Sequence, residues 1–198
     1  MSREGRIERV TAETTVRVSV ELDGTGAGRI ATGIGFFDHL LEQLARHSLI
    51  DLEVDASGDV VVDEHHTVED CGIVLGRALD EALGDRRGIR RYGDVRIPMD
   101  ETLATCAIDL GGRAWSAITP RPDPLAGVNP WLELLPHFLE SLAREGRMTL
   151  HLDVTGAASV HHHAEAAMKA FARALRAAIE PDPRLSELDV PSTKGTLR

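Results

Sequence analysis

HLLEQLARHSLIDLEVD (39–55) and HFLESLAREGRMTLHLD (137–153) agree at 8 of 17 positions. A second pair follows the first in each case: HHTVEDCGIVLGRALDE (65–81) and HHHAEAAMKAFARALRA (161–177) agree at 6 of 17. A third lies upstream, where ETTVRVSVELDG from Glu13 faces ETLATCAIDLGG from Glu101. Three matches in one order mark an internal repeat. Each copy runs glutamate, strand, helix with a lone histidine, strand, helix opened by a histidine pair. The copies are offset by 88 residues at the glutamate, 98 at the lone histidine and 96 at the pair. The jump falls where PRPDPLAGVNP (120–130) sits in the second copy, a Pro/Gly-rich loop of the kind that tolerates insertion.

Hydrophobic periodicity assigns the elements around these anchors. TTVRVSVEL alternates apolar with small or charged residues, as a half-exposed strand does. FFDHLLEQLARH and its copy ELLPHFLESLARE place apolar residues at helical spacing. LIDLEVDASGD and MTLHLDVTGA read as strands that end in turns, and 67–83 and 164–179 as amphipathic helices, the second rich in alanine. The predicted fold is α+β: two duplicated halves, each a small β-sheet with two helices on one face, packed into one unit. The half-repeats are expected at 1–92 and 93–198, with no independent linker, as a single compact domain.

The 198 residues suffice for one such core, and aromatic residues are only 4% of them, so Leu, Ile, Val and Ala must fill it. Cys71 and Cys106 are too few for a disulfide framework and fit a reducing compartment. The opening MSREGRIERVTAETTV lacks the apolar core of a signal peptide, and no apolar run approaches the roughly 20 residues that span a bilayer. A cytoplasmic protein without membrane contact is expected. The net charge of −10 argues against nucleic acid, whose phosphates need a basic face. A small anionic substrate needs only a few local cations and remains compatible.

Of 9 histidines, five lie in the two clusters at 65–66 and 161–163. On a helix, residues i and i+4 lie about 40° apart around the axis, so His65 and Glu69 converge on one ion, as do His161 and Glu165. His66 is turned about 100° from His65, which assigns the two members of each doublet to different ions. His39 and His137, on the preceding helices, extend the set, each serving the doublet of its own half. Six histidines and two glutamates give about four protein ligands for each of two ions, a set that suits Mn²⁺, Fe²⁺ or Zn²⁺. His47 and His151 read as ordinary surface or core residues. His163, which has no counterpart in the first copy, is expected to face solvent. Three functions fit the residues so far: a metal-dependent lyase, a two-metal phosphate-ester hydrolase, and a metal-storage or metal-assembled protein without turnover.

The motifs DEHHTVED, GFFDHLLEQLARH, RYG followed by PMDETLA, DLGGR, HHHAEAAMKAFARAL and the terminal PSTKG together resemble imidazoleglycerol-phosphate dehydratases, from about Arg9 to Leu197. The resemblance implies dehydration of imidazole glycerol phosphate to imidazole acetol phosphate in histidine biosynthesis. It also implies manganese, two ions per active site, and a homo-oligomer of 24 subunits in which neighbours share each ion. It makes His39, His65, His66, Glu69, His137, His161, His162 and Glu165 the metal ligands. Glu13, Arg91, Arg113, Ser192 and Lys194 become substrate-binding positions, with Gln43 a weaker one. Glu13, Glu69 and Glu165 are the expected catalytic carboxylates, Glu13 as base or proton shuttle for an unactivated C–H. Glu101, the repeat partner of Glu13, is expected to be structural. Ala158-Ser159-Val160, Met168 and DLGGRA depart from the family's usual residues without touching a proposed ligand.

Overall fold

The computed structural model describes residues 3–120, 129–156, 158–186 and 188–197, so most of the insertion at 120–130 lies outside the described residues. One sheet is built from β1 (Glu4–Val10), β2 (Thr14–Glu21), β3 (Gly28–Ala31) and β4 (Asp51–Gly58), in the spatial order β1-β2-β4-β3. The other is built from β5 (Tyr92–Met99), β6 (Thr102–Asp109), β7 (Trp115–Thr119) and β8 (Thr149–Thr155), in the matching order β5-β6-β8-β7. In each, three strands are antiparallel and the short fourth runs parallel to its neighbour. A parallel pair needs a crossover, supplied by α1 (Gly35–Ser48) in one half and α3 (Trp131–Glu145) in the other. The remaining helices are α2 (Glu64–Leu83) and α4 (Val160–Ile179). The α+β fold of two similar halves is the one read from the repeat.

The four central strands are the ones that alternate cleanly. In β2, Val16, Val18 and Val20 turn inward while Arg17 and Ser19 face out. The edge strands carry weaker signals. β1 has four charged residues among seven, β3 has four residues, and β5 contains Pro98, which an edge tolerates.

Helices of the two halves interlock: α1 packs on α4, and α2 on α3. Both sheets contribute their inner faces to one continuous apolar cluster, filled mainly by Leu, Val, Ala and Ile. The repeat extends to its closest approaches. A Cβ on Gly5 would sit 2.0 Å from the carbonyl oxygen of Ala78, and one on Gly93 would sit 2.0 Å from that of Ala174. Each glycine lets an edge strand lie directly on a helix backbone. Among the described residues, no helix is long and apolar enough to cross a membrane.

His163 corrects the sequence reading. It is buried at 8% exposure, beside Val154, Val160 and Leu132. Two residues beyond His161 means about 200° around the helix, which turns it from the ligand face into the body of the protein. Its counterpart Thr67 is fully buried for the same reason. Burial pushes the His163 imidazole below its usual pKa.

Candidate active site

Each histidine doublet occupies the first turn of a helix. Asp63 caps α2, its carboxylate accepting the His65 N–H at 2.9 Å, and Ser159 stands at the same place before α4. The rings diverge as the helical step requires. His65 and His66 lie 6.2 Å apart with planes at 87°, and His161 and His162 lie 6.2 Å apart at 68°.

The lone histidines do not join the doublets of their own halves, as the repeat had implied. They cross over. His39 Nε2 is 2.5 Å from Glu165 Oε1, and His161 Nε2 is 3.2 Å from the same oxygen. The His39 and His161 rings stack at 5.8 Å. In the second cluster the His137 ring meets the His65 ring at 4.5 Å, and His65 Nε2 stands 3.9 Å from Glu69 Oε2. The cause is the interlocking of helices: α1 carries His39 to α4, and α3 carries His137 to α2. Each cluster is therefore built across the junction of the two halves.

The clusters differ in their electrostatics. Burial opposes the charge on Glu165, but Lys169 and His39 outweigh it and hold the carboxyl down at about 2. Lys169 Nζ lies 2.5 Å from Glu165 Oε2, one helical turn away. The repeat places Ile73 at the position of Lys169, so Glu69 has no such cation on its own helix. Lys169 was missed from the sequence, although its i, i+4 spacing from Glu165 was a readable signal. Phe36 walls the first cluster, stacked toward His39 at 6.4 Å and tilted toward His161 at 5.5 Å, with Trp131 packed edge-on against Phe36 at 5.1 Å.

The donor chemistry fits a divalent metal. Donor atoms of His39, His161 and Glu165 all lie within 4.8 Å of one another, as do those of Asp100, Glu101 and His162. His137 Nδ1 is buried without a hydrogen-bond partner among the described residues, an orphan that a cation would satisfy. Imidazole with carboxylate suits borderline and harder ions. The thiols stay out of the set: Cys71 and Cys106 are buried, and burial pushes Cys106 up to about 12.

The second members of the doublets face other carboxylates. His66 Nδ1 lies 3.3 Å from Asp59 Oδ2 and 3.6 Å from Glu13 Oε2. His162 Nδ1 lies 3.1 Å from both oxygens of Glu101, which also accepts the Ala158 N–H. The hydrogen bond to Asp59 raises the His66 pKa above its ordinary value, with Glu13 adding to it. Glu101 is held down at about 2, first by its own backbone N–H and then by His162. Asp59 had no signal in the sequence.

The phosphate-type residues gather elsewhere. Arg91, Arg113, Ser192 and Lys194 line one crevice of about 480 Å³. Arg91 is fixed by Asp109, at 2.7 Å from Nε, and donates through Nη1 to the Pro191 carbonyl at 2.8 Å. That bond ties the C-terminal segment down. The segment then turns on itself, Ser192 Oγ accepting the Lys194 N–H at 3.2 Å. Gln43 is not in this crevice. It lies one turn beyond His39 on α1, with Oε1 3.1 Å from His47 Nε2.

The family model for imidazoleglycerol-phosphate dehydratase matches residues 32–175. The chain belongs to the imidazoleglycerol-phosphate dehydratase family. It is 53% identical over 196 residues to the imidazoleglycerol-phosphate dehydratase of Cereibacter sphaeroides (strain ATCC 17025 / ATH 2.4.3), covering 98% of this chain and 100% of that one. It is 52% identical over 195 residues to that of Methanoculleus marisnigri, with the same coverage. The crystal structure of the Staphylococcus aureus N315 enzyme superposes with a TM-score of 0.78 at 33% identity, covering 90% of this chain and 99% of that one. The Pyrococcus furiosus enzyme, solved in complex with (S)-C348, gives 0.78 at 31% identity, covering 96% and 99%. The protein is thus an enzyme, a hydro-lyase of histidine biosynthesis acting on a small molecule. The hydrolase and storage readings fall away.

Proposed function

We propose that the chain converts imidazole glycerol phosphate to imidazole acetol phosphate and water at a two-metal site completed between subunits. Manganese is the proposed ion, two per active site, in a cytoplasmic homo-oligomer of 24 subunits. The observation that carries the shared site is a separation. β6 begins beside Glu101 and His162 and ends at Asp109, which holds Arg91. Eight residues at about 3.3 Å each put the His162 end of β6 and the phosphate crevice on the order of 25 Å apart within one chain. A small substrate does not span that distance, so the crevice of one subunit serves the histidines of another.

The metal set proposed is His39, His65, His66, Glu69, His137, His161, His162 and Glu165. Bound there, the ions supply Lewis acidity that draws negative charge into the imidazole ring. Converting the vicinal diol to a ketone breaks one C–H and one C–O bond, releases water, and leaves an enol that tautomerises. Glu13 is the proposed base or proton shuttle: its side chain is 58% exposed and its carboxylate stands 3.6 Å from His66 Nδ1, beyond hydrogen-bond distance. Arg91, Arg113, Ser192 and Lys194 grip the phosphate and orient the leaving hydroxyl. Gln43, turned toward His47, is the weakest of the proposed substrate contacts.

Turnover of imidazole glycerol phosphate before and after chelation, with metal analysis and sizing of the protein, tests this reading. Expected are loss of turnover on chelation, recovery with Mn²⁺, and a large assembly. Full turnover by a metal-free monomer would overturn it.

A further inference from the structure

The repeat makes Glu13 and Glu101 counterparts, 88 residues apart, yet the structure gives them different employment. Glu101 is committed. Both its oxygens accept from His162 Nδ1 at 3.1 Å, and one also accepts the Ala158 N–H at 3.1 Å. Glu13 stands 3.6 Å from His66 Nδ1, beyond hydrogen-bond reach. Its place is taken by Asp59, whose two oxygens lie 3.3 and 3.4 Å from that nitrogen. The second half has Gly156 near the end of its strand where Asp59 follows Gly58, so only the first half has a substitute carboxylate in that loop.

A carboxylate only accepts hydrogen bonds, so Nδ1 of each of these histidines carries the proton. That tautomer leaves the Nε2 lone pair free for a metal and fixes the ring plane. The turn carrying Glu13 is separately fixed. Thr11 Oγ accepts the N–H groups of Glu13 and Thr14, and Thr14 Oγ1 donates to Asp70 on α2. Glu13 is thus held beside the doublet as a charged neighbour of His66, with its carboxylate outside hydrogen-bond range of that ring.

We propose that Asp59 and Glu101 are positioning residues that orient His66 and His162 for the metal, and that Asp59, by relieving Glu13 of this task, frees Glu13 to act on substrate. The proposal rests on the two-metal reading above. The loop bearing Asp59 is shaped by its backbone carbonyl, which accepts the N–H groups of Val62 and Asp63, so removal of the carboxylate leaves the loop intact.

The test is Mn²⁺ titration of the full-length protein, with free ion read by electron paramagnetic resonance, alongside steady-state kinetics. Asp59→Ala and Glu101→Ala are expected to weaken Mn²⁺ binding about tenfold. Asp59→Asn and Glu101→Gln keep an acceptor oxygen and are expected to recover most of that loss; they also carry the test if an alanine variant fails to fold. Glu13→Ala is expected to bind Mn²⁺ within about twofold of the unchanged protein while losing kcat. Native affinity in Asp59→Ala would overturn the proposal, as would equal weakening in Glu13→Ala. An unchanged protein that binds no Mn²⁺ would overturn the metal reading itself.

Discussion

His39 Nε2 lies 2.5 Å from Glu165 Oε1, although 126 residues and the boundary of the repeat separate them. The contact exists because α1 of one half packs on α4 of the other. Its consequence is coupling: neither half can assemble a cluster alone. His39→Ala is expected to lower Mn²⁺ affinity at least tenfold. Combined with His161→Ala, it should cost less than the sum of the two single changes, because both rings serve one carboxylate oxygen. Additive losses in calorimetric titration would show that they serve different ions.

Glu69→Gln and His162→Ala are expected to abolish turnover through loss of metal. Measured metal content should fall with activity. Full activity in metal-replete buffer would remove these residues from the ligand set.

Lys194→Ala is expected to remove one proposed charge-assisted hydrogen bond to phosphate, worth about 1.5–3 kcal/mol. KM should rise roughly tenfold or more with kcat little changed, the pattern of lost ground-state binding. An unchanged KM would exclude Lys194 from the substrate site.

The Glu165 carboxyl is held at about 2, below its ordinary 4.5, once Lys169 and His39 overcome the effect of burial. A depressed folded-state value contributes stability that is complete above pH 4.5 and is lost as pH falls toward 2. Lys169→Met should therefore move the acid-unfolding midpoint of the metal-free protein to higher pH. Circular dichroism across pH 2–6 (about that span suffices) would read the shift, and an unmoved midpoint would contradict the assigned cause.

Gly72, like Gly76 one turn on, is a point of close approach between α2 and α3. A Cβ there would sit 2.6 Å from the Phe138 carbonyl oxygen and 3.2 Å from Ser141 Cβ. Gly72→Ala is expected to cost about 1–3 kcal/mol by overpacking. It should also weaken metal binding, since the same contact sets His137 against His65. Thermal unfolding and Mn²⁺ titration together check both expectations.

The repeat, the four central strands and all four helices were legible because each is stamped on contiguous residues. Val16, Val18 and Val20 alternate, the apolar faces of α1 and α3 recur at helical spacing, and HHxxE sits whole on one turn. β1, β3, β5 and β7 were not legible. Each is an edge strand, short or half solvated, paired on one side only. The helical step likewise predicted that the doublet rings diverge, and they do.

By itself the sequence determined that this chain folds as two like halves and carries metal-type ligands twice over. Periodicity and repetition are local properties, fixed by which side chains must be buried. Only the tertiary structure decided the partners. Lone histidines serve the opposite half because interlocked helices bury more apolar surface than separate halves would. Glu13 and Glu101, alike in sequence, part ways because Asp59 reaches the His66 ring, while Glu101 itself holds the His162 ring. The turn of His163 into the body of the protein follows from where the rest of α4 is packed. Contacts between residues far apart in the chain have no signature in local sequence; they are set by how the elements pack.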